Sequence, residues 1–190
     1  MSRSLNIVII YSLLIGCQHK PTNNFEVAII NDSTKVELIL GETNELVCLV
    51  TDSISSKWPL PYPVYQYQYG DIDNNGSVDL AVGVFKPTRY DTVKRNRLFL
   101  YEVRNNAIIP LWLGTSVGHP IINFKMIQNS EGKNLIRIIG REKTETFLIA
   151  DYEWYGFGLS LSDYIKRDIS LEFARELFYT GHRFKSTSFK

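Results

Sequence analysis

Cysteine is almost missing from this chain. Its 190 residues include two, Cys17 and Cys48, so the disulfide framework of a small secreted scaffold is excluded. Neither sign of charge dominates: 21 Lys+Arg face 20 Asp+Glu, leaving a net charge of +1. With no basic surplus to neutralise phosphates, nucleic acid is not an expected partner. No internal repeat of propeller period stands out. No apolar run is long enough to span a bilayer as a helix. What is present is a 44% hydrophobic and 13% aromatic composition, which belongs to a folded globular chain. The length favours one domain with a real core. Eleven tyrosines and ten phenylalanines lean toward β structure.

The first residues look like a targeting segment. Arg3 and the amino terminus give a short positive region, and residues 5–15 are apolar apart from Asn6 and Ser12. The run ends in Leu14-Ile15-Gly16-Cys17, which resembles a bacterial lipobox. That resemblance implies a signal peptide over 1–16 and cleavage before a lipid-modified Cys17. It implies a palmitate-type acyl anchor, a membrane as partner through that lipid, and a place in the bacterial cell envelope. An ordinary secretory signal peptide with an incidental cysteine is the alternative. Residues 17–25 are polar and without periodicity, and read as a tether holding a domain off the membrane. With Cys17 acylated, Cys48 has no partner. It lies in the apolar run Leu46-Val47-Cys48-Leu49-Val50 and reads as a small buried hydrophobe.

From residue 26 the pattern is of strands. Strands are expected over 26–30, 35–40 and 46–50, separated by Asn-Asp-Ser and Gly-Glu-Thr-Asn turns. Residues 51–63 carry Pro59, Pro61 and Pro63 in alternate positions, which forbids helix and central strand. The segment is expected to be extended at a sheet edge. Its Trp58 and Tyr62 either form an aromatic platform with the next strand or pack a core. Val64-Tyr65-Gln66-Tyr67-Gln68-Tyr69 alternates as a strand does. Further strands are expected over 78–85, 98–103, 108–113, 121–127, 135–140, 146–152 and 154–161, with residues 86–97 as a charged, solvated loop. Asp151 and Glu153 are expected on one exposed strand face. One helix follows, capped by Ser170, with Leu171, Ala174 and Phe178 at spacings three and four and Gly181 to close it. The domain reading is therefore a β domain over 26–166 and a helix with tail over 167–190. The fold class is all-β: an antiparallel meander or partial β-propeller-like blades, with one short C-terminal helix.

One stretch speaks of chemistry. In Asp71-Ile72-Asp73-Asn74-Asn75-Gly76-Ser77-Val78-Asp79, acidic or amide side chains fall at loop positions 1, 3, 5 and 9, and a glycine at position 6. Odd-numbered side chains converge, the glycine permits a sharp bend, and the Ser77 carbonyl can serve at position 7. Asp71, Asp73, Asn75, Ser77 and Asp79 are the candidate metal ligands. Three carboxylates suit calcium better than magnesium, which wants a rigid octahedron. Position 12, the bidentate glutamate of an EF-hand, is Val82, so weak binding is expected. Val78 is expected to anchor the loop to a core. The flanks are strands, not helices. Over residues 65–101 the chain resembles the FG-GAP/VCBS family, whose D-x-D-x-[DN]-G-x-x-D loops join strands in propeller blades. The resemblance implies that Asp71, Asp73, Asn75 and Asp79 are calcium ligands. It departs from the family in having one such loop where several are usual. The competing reading is a metal-free Asn-Gly hairpin.

Other motifs carry less. Gly114-Thr115-Ser116-Val117-Gly118 matches G-x-S-x-G, but that elbow works only on a strand-to-helix turn over a parallel sheet. Ser116 and His182 are the pair that a hydrolase would need. His119 precedes Pro120 and reads as a loop residue, with no second His or Cys near enough to suggest zinc. The leading expectation is a non-enzymatic, lipid-anchored envelope protein whose calcium-stabilised β domain binds a protein or glycan. The alternatives are an envelope hydrolase acting on glycan or peptidoglycan, and a structural assembly component.

Overall fold

The computed structural model describes residues 27–89, 91–114 and 117–180. Within them twelve strands and one helix run in chain order. The first four strands are β1 (Ala28–Ile29), β2 (Thr34–Ile39), β3 (Asn44–Val50) and β4 (Ser53–Leu60); then come β5 (Val64–Gly70), β6 (Asp79–Lys86), β7 (Arg95–Arg104) and β8 (Ala107–Leu113). The third group is β9 (Ile121–Gln128), β10 (Asn134–Arg141), β11 (Phe147–Trp154) and β12 (Leu159–Ile169), and α1 (Leu171–Thr180) closes the series. Each group forms its own four-stranded sheet in sequence order, with every neighbour antiparallel. Three successive meanders of this kind are blade-like units. No sheet closes into a barrel.

The sheets stack face to face. Leu80, Val82, Val84, Phe99 and Tyr101 of the middle sheet pack against Val36, Leu46, Cys48 and Leu60 of the first. On its other face, Ala81, Leu98 and Leu100 meet Phe124, Met126, Ile138, Leu148 and Ala150 of the third. The far face of the third sheet takes the helix, with Ala174 and Phe178 against Ile139, Phe147 and Ile149. This is why β6 is buried for its first six residues and apolar over the five that follow Asp79: a central strand covered on both faces has no solvent side. Burial raises the Cys48 thiol above its ordinary pKa, in keeping with a cysteine that packs as a hydrophobe.

Several local expectations are refined. The Pro-bearing segment is the edge strand β4, and its aromatics pack inward: Trp58 makes an edge contact with Tyr101, and the following Tyr62 one with Phe99. A tyrosine platform is not formed. The ladder between β5 and β6 slips between Val64 and Gln66. Such a bulge re-aims one side chain, so Tyr65 packs toward Phe124 of the third sheet, while Tyr67 and Tyr69 join the core with the first sheet. The expected strand over 154–161 is a hairpin, with Tyr155 N–H donating to the Gly158 carbonyl and Gly156 at φ 80°. β12 continues to Ile169, past the expected domain boundary at 166. The charged loop is shorter than expected, because Arg95 and Arg97 already pair within β7. Arg97 is buried and bonded to Asp91 at 2.8 Å. Asp151 also departs from expectation: it is buried in a two-pronged pair with Arg137. Ser170 caps the helix as expected, accepting from Phe173 N–H at 3.2 Å.

Gly83 makes the bulge work. A Cβ built there would lie 2.6–2.8 Å from three atoms of the Tyr65 ring. Gly83→Ala is therefore expected to destabilise the domain by about 1–3 kcal/mol through overpacking, read as a shift in urea midpoint at unchanged slope. An unshifted midpoint would mean that Tyr65 moves aside freely.

Candidate metal centre

The loop between β5 and β6 is held by its own side chains. Asp71 accepts from the N–H groups of Asn75 and Gly76, both at 2.9 Å. Asp73 accepts from Asn75 N–H at 3.1 Å and from its side-chain amide at 2.9 Å. Asn75 Oδ1 in turn accepts from Ser77 N–H at 2.7 Å. Asn74 and Gly76 take left-handed φ values of 60° and 88°, which asparagine and glycine adopt most readily. These bonds curl nine residues into a tight coil and turn the acids to one side.

Asp71, Asp73 and Asp79 each offer a carboxylate oxygen, and the three oxygens lie within 4.8 Å of one another. Asp71 and Asp73 are half-buried, whereas Asp79 is fully buried. Asp79 Oδ2 accepts from Ile72 N–H at 3.0 Å. Its Oδ1 is buried with no hydrogen-bond partner. Burial pushes the Asp79 pKa up to about 7, and the nearby Asp73 and Asp71 charges push the same way, against backbone hydrogen bonds that lower it. A buried carboxylate with an unpaired oxygen beside two others lacks a positive charge and an electrophile. A metal ion supplies both. The donor set is all oxygen, which suits a hard cation. The cluster can hold a metal ion, and the residues present fit one.

The sequence-derived ligand set is only partly assembled. The three aspartates come together. Asn75 stands at the rim, its side chain engaged with Asp73 and Ser77, and Ser77 is exposed. Position 12, Val82, is fully buried toward the first sheet and contributes nothing. Val78, the expected anchor, is only half-buried. Ile72 does that work instead, 2% exposed within the core between the second and third sheets. Asn74 was not among the candidates, yet it reaches across to the third sheet. Asn134 N–H donates to Asn74 Oδ1 at 2.7 Å, and Asn74 Nδ2 donates to the Asn134 carbonyl at 3.2 Å. The signal for both residues lay in the alternation: even positions of a loop whose odd positions converge must face elsewhere.

The hydrolase pair, Ser116 and His182, lies outside the described residues, as do Cys17, the segment before it, the tether and Gly181. His119 hydrogen-bonds Tyr164 OH at 3.1 Å. It lines a cavity of about 120 Å³ with Asp91, Arg95 and Arg97. Asp91 is committed there to Arg97, whose hydrogen bond holds the carboxyl below its usual range. An acid of that kind is a poor proton donor near neutral pH. No family model, no curated protein and no solved structure matches the chain.

Proposed function

We propose that this chain is a lipid-anchored protein of the bacterial cell envelope whose β domain is stiffened by one calcium ion and serves as a non-enzymatic binding module. The observation that supports the ion most directly is Asp79: fully buried, with one unpaired oxygen, beside two further carboxylates. Calcium is favoured over magnesium because a loop of carboxylate and carbonyl oxygens suits an irregular oxygen shell, whereas magnesium wants a rigid octahedron. Asp71, Asp73 and Asp79 would hold the ion, with the Asn75 side chain and the Ser77 carbonyl as the sequence-derived additions. The ion's contribution is charge neutralisation and loop order, not turnover.

The anchoring half of the reading rests on the Leu14-Ile15-Gly16-Cys17 run. No helix among the described residues is long and apolar enough to cross a membrane; the attachment this run implies is a lipid on Cys17. The interaction role is favoured by the hairpin between β11 and β12. Tyr155 and Phe157 are 68% and 81% exposed there and touch each other edge to face. Solvent-exposed rings on a tight turn suit contact with another protein or a glycan.

Calcium binding is tested by calorimetry and thermal melting of the full-length protein. A Kd in the range of about 0.1–1 mM, usual for extracellular modules, corresponds at 10 mM calcium to about 1.4–2.7 kcal/mol of stabilisation. That is a rise of about 3–11 °C in melting temperature for a chain of this size. Asp71→Ala with Asp73→Ala should abolish both the heat and the rise. A wild-type protein that gives no calcium heat would remove the ion. Metabolic labelling with palmitate tests the anchor, since Cys17→Ser should lose the label.

A further inference from the structure

The ion loop has two sides. Asp71 and Asp73 turn their carboxylates toward Asp79. The residues between and after them, Ile72 and Asn74, turn the other way, toward the third sheet. Ile72 is buried in the core that joins the second and third sheets. Asn74 pairs its amide with both backbone groups of Asn134, the first residue of β10. Its side chain thus acts as one rung of a β ladder across a gap between sheets. The rest of that boundary is close-packed: Met126 N–H donates to Gln68 Oε1 at 2.7 Å, and a Cβ on Gly70 would meet the Met126 side chain at 2.7 Å.

We propose that the loop is an ion-operated latch: cation binding at Asp71, Asp73 and Asp79 clamps the third sheet to the second through Asn74 and Ile72. The inference rests on the metal-binding reading given above and deepens it by naming what the ion controls. The physical reason is alternation. A cation held by positions 71 and 73 fixes the backbone on both sides of residue 72 and on the near side of residue 74, so their side chains lose the freedom to swing away. Without the cation, three carboxylates whose oxygens lie within 4.8 Å of one another repel, and opening the coil relieves that repulsion. Opening withdraws Asn74 from Asn134 and draws Ile72 out of the core. Asn75, Gly76 and Ser77 are exposed, so the hydrogen bonds that Asn75 and Gly76 give to Asp71 and Asp73 can pass to water as the coil opens, at a small net cost.

Hydrogen exchange on the full-length protein tests the latch, with calcium and with EGTA. The Asn134 amide, donated to Asn74, and amides of β9 and β10 near it should exchange at least about fivefold more slowly with calcium, the lower end of ordinary coupling between sites. Asn74→Gly keeps the left-handed backbone and deletes the bridging amide. It should retain calcium heat by calorimetry while losing the calcium dependence at residue 134. Calcium heat with the same Asn134 exchange in both buffers would overturn the latch and leave the ion site standing. So would a calcium-dependent Asn134 in the Asn74→Gly protein. Absence of calcium heat in the wild-type protein would overturn both.

Discussion

At pH 8 in chelator, Asp79→Asn is expected to make the protein more stable, and in calcium less stable, than the wild type. Asp79 is buried, and its pKa stands at about 7 in the folded chain, against about 3.9 when unfolded. Below pH 4 both states hold the proton and the residue costs nothing. Between pH 4 and 7 the unfolded chain releases its proton while the folded one keeps it, so stability falls as pH rises. Above pH 7 both are ionised and the loss is complete, at about 4 kcal/mol for a shift of about three units. An asparagine carries no charge to bury. Its Oδ1 can still accept from Ile72 N–H, and its amide can donate to a neighbouring carboxylate. Chelated Asp79→Asn should therefore gain up to about 4 kcal/mol at pH 8, with the gain vanishing toward pH 4. With calcium the order reverses, because the wild type gains an ion that the variant holds poorly. Urea melts at pH 4, 6 and 8, in EGTA and in calcium, give the whole pattern. A chelated variant that is less stable than wild type at pH 8 would show that Asp79 is not a frustrated carboxylate, and the case for a resident cation would lose its main support.

The same feature marks where sequence reading reached and where it stopped. The spacing of Asp71, Asp73 and Asp79 is a local property, and it placed three carboxylates together correctly. Strand alternation likewise located most of the twelve strands and the helix, because a period of two or of 3.6 is written residue by residue. The expected blade-like units are present as three sheets, but how those sheets stack was not legible. It depends on which faces meet, and β6 shows the difficulty: a strand buried on both sides has no alternation to read. Tyr65 escaped for a related reason. The bulge that turns it to the third sheet is set by the room at Gly83, which lies on another strand. Alternation turned Asn74 and Ile72 away from the acids but could not name what they meet: Asn134 lies 60 residues from Asn74, and the core around Ile72 draws on both the second and third sheets.

The burial of Asp151 was missed on the same ground, and it sets up the second large effect. Asp151 sits opposite Arg137 in the ladder between β10 and β11, and Lys125 sits opposite Arg137 on the other side, in β9. The three form a row on the face of the third sheet that carries the helix. Arg137 donates from Nε and Nη2 to the two Asp151 oxygens at 2.7 and 2.8 Å. Lys125 reaches the Phe178 carbonyl in the last turn of α1, where a cation complements the helix dipole. Burial and the neighbouring guanidinium lower the Lys125 pKa, and Asp151 opposes them. One carboxylate thus serves two cations. Asp151→Ala should cost about 3–5 kcal/mol, because it strands Arg137 in a largely buried position beside a second positive charge. The cost belongs to the orphaned charge rather than to the pair itself. Replacing both partners, as Arg137→Met with Asp151→Leu, should recover most of the loss, since buried ion pairs exchange for apolar groups at little net cost. Paired urea melts separate these outcomes. If Asp151→Ala lies within about 1 kcal/mol of wild type, the row is solvated like an ordinary surface pair, and the third sheet holds its helix by apolar contact alone.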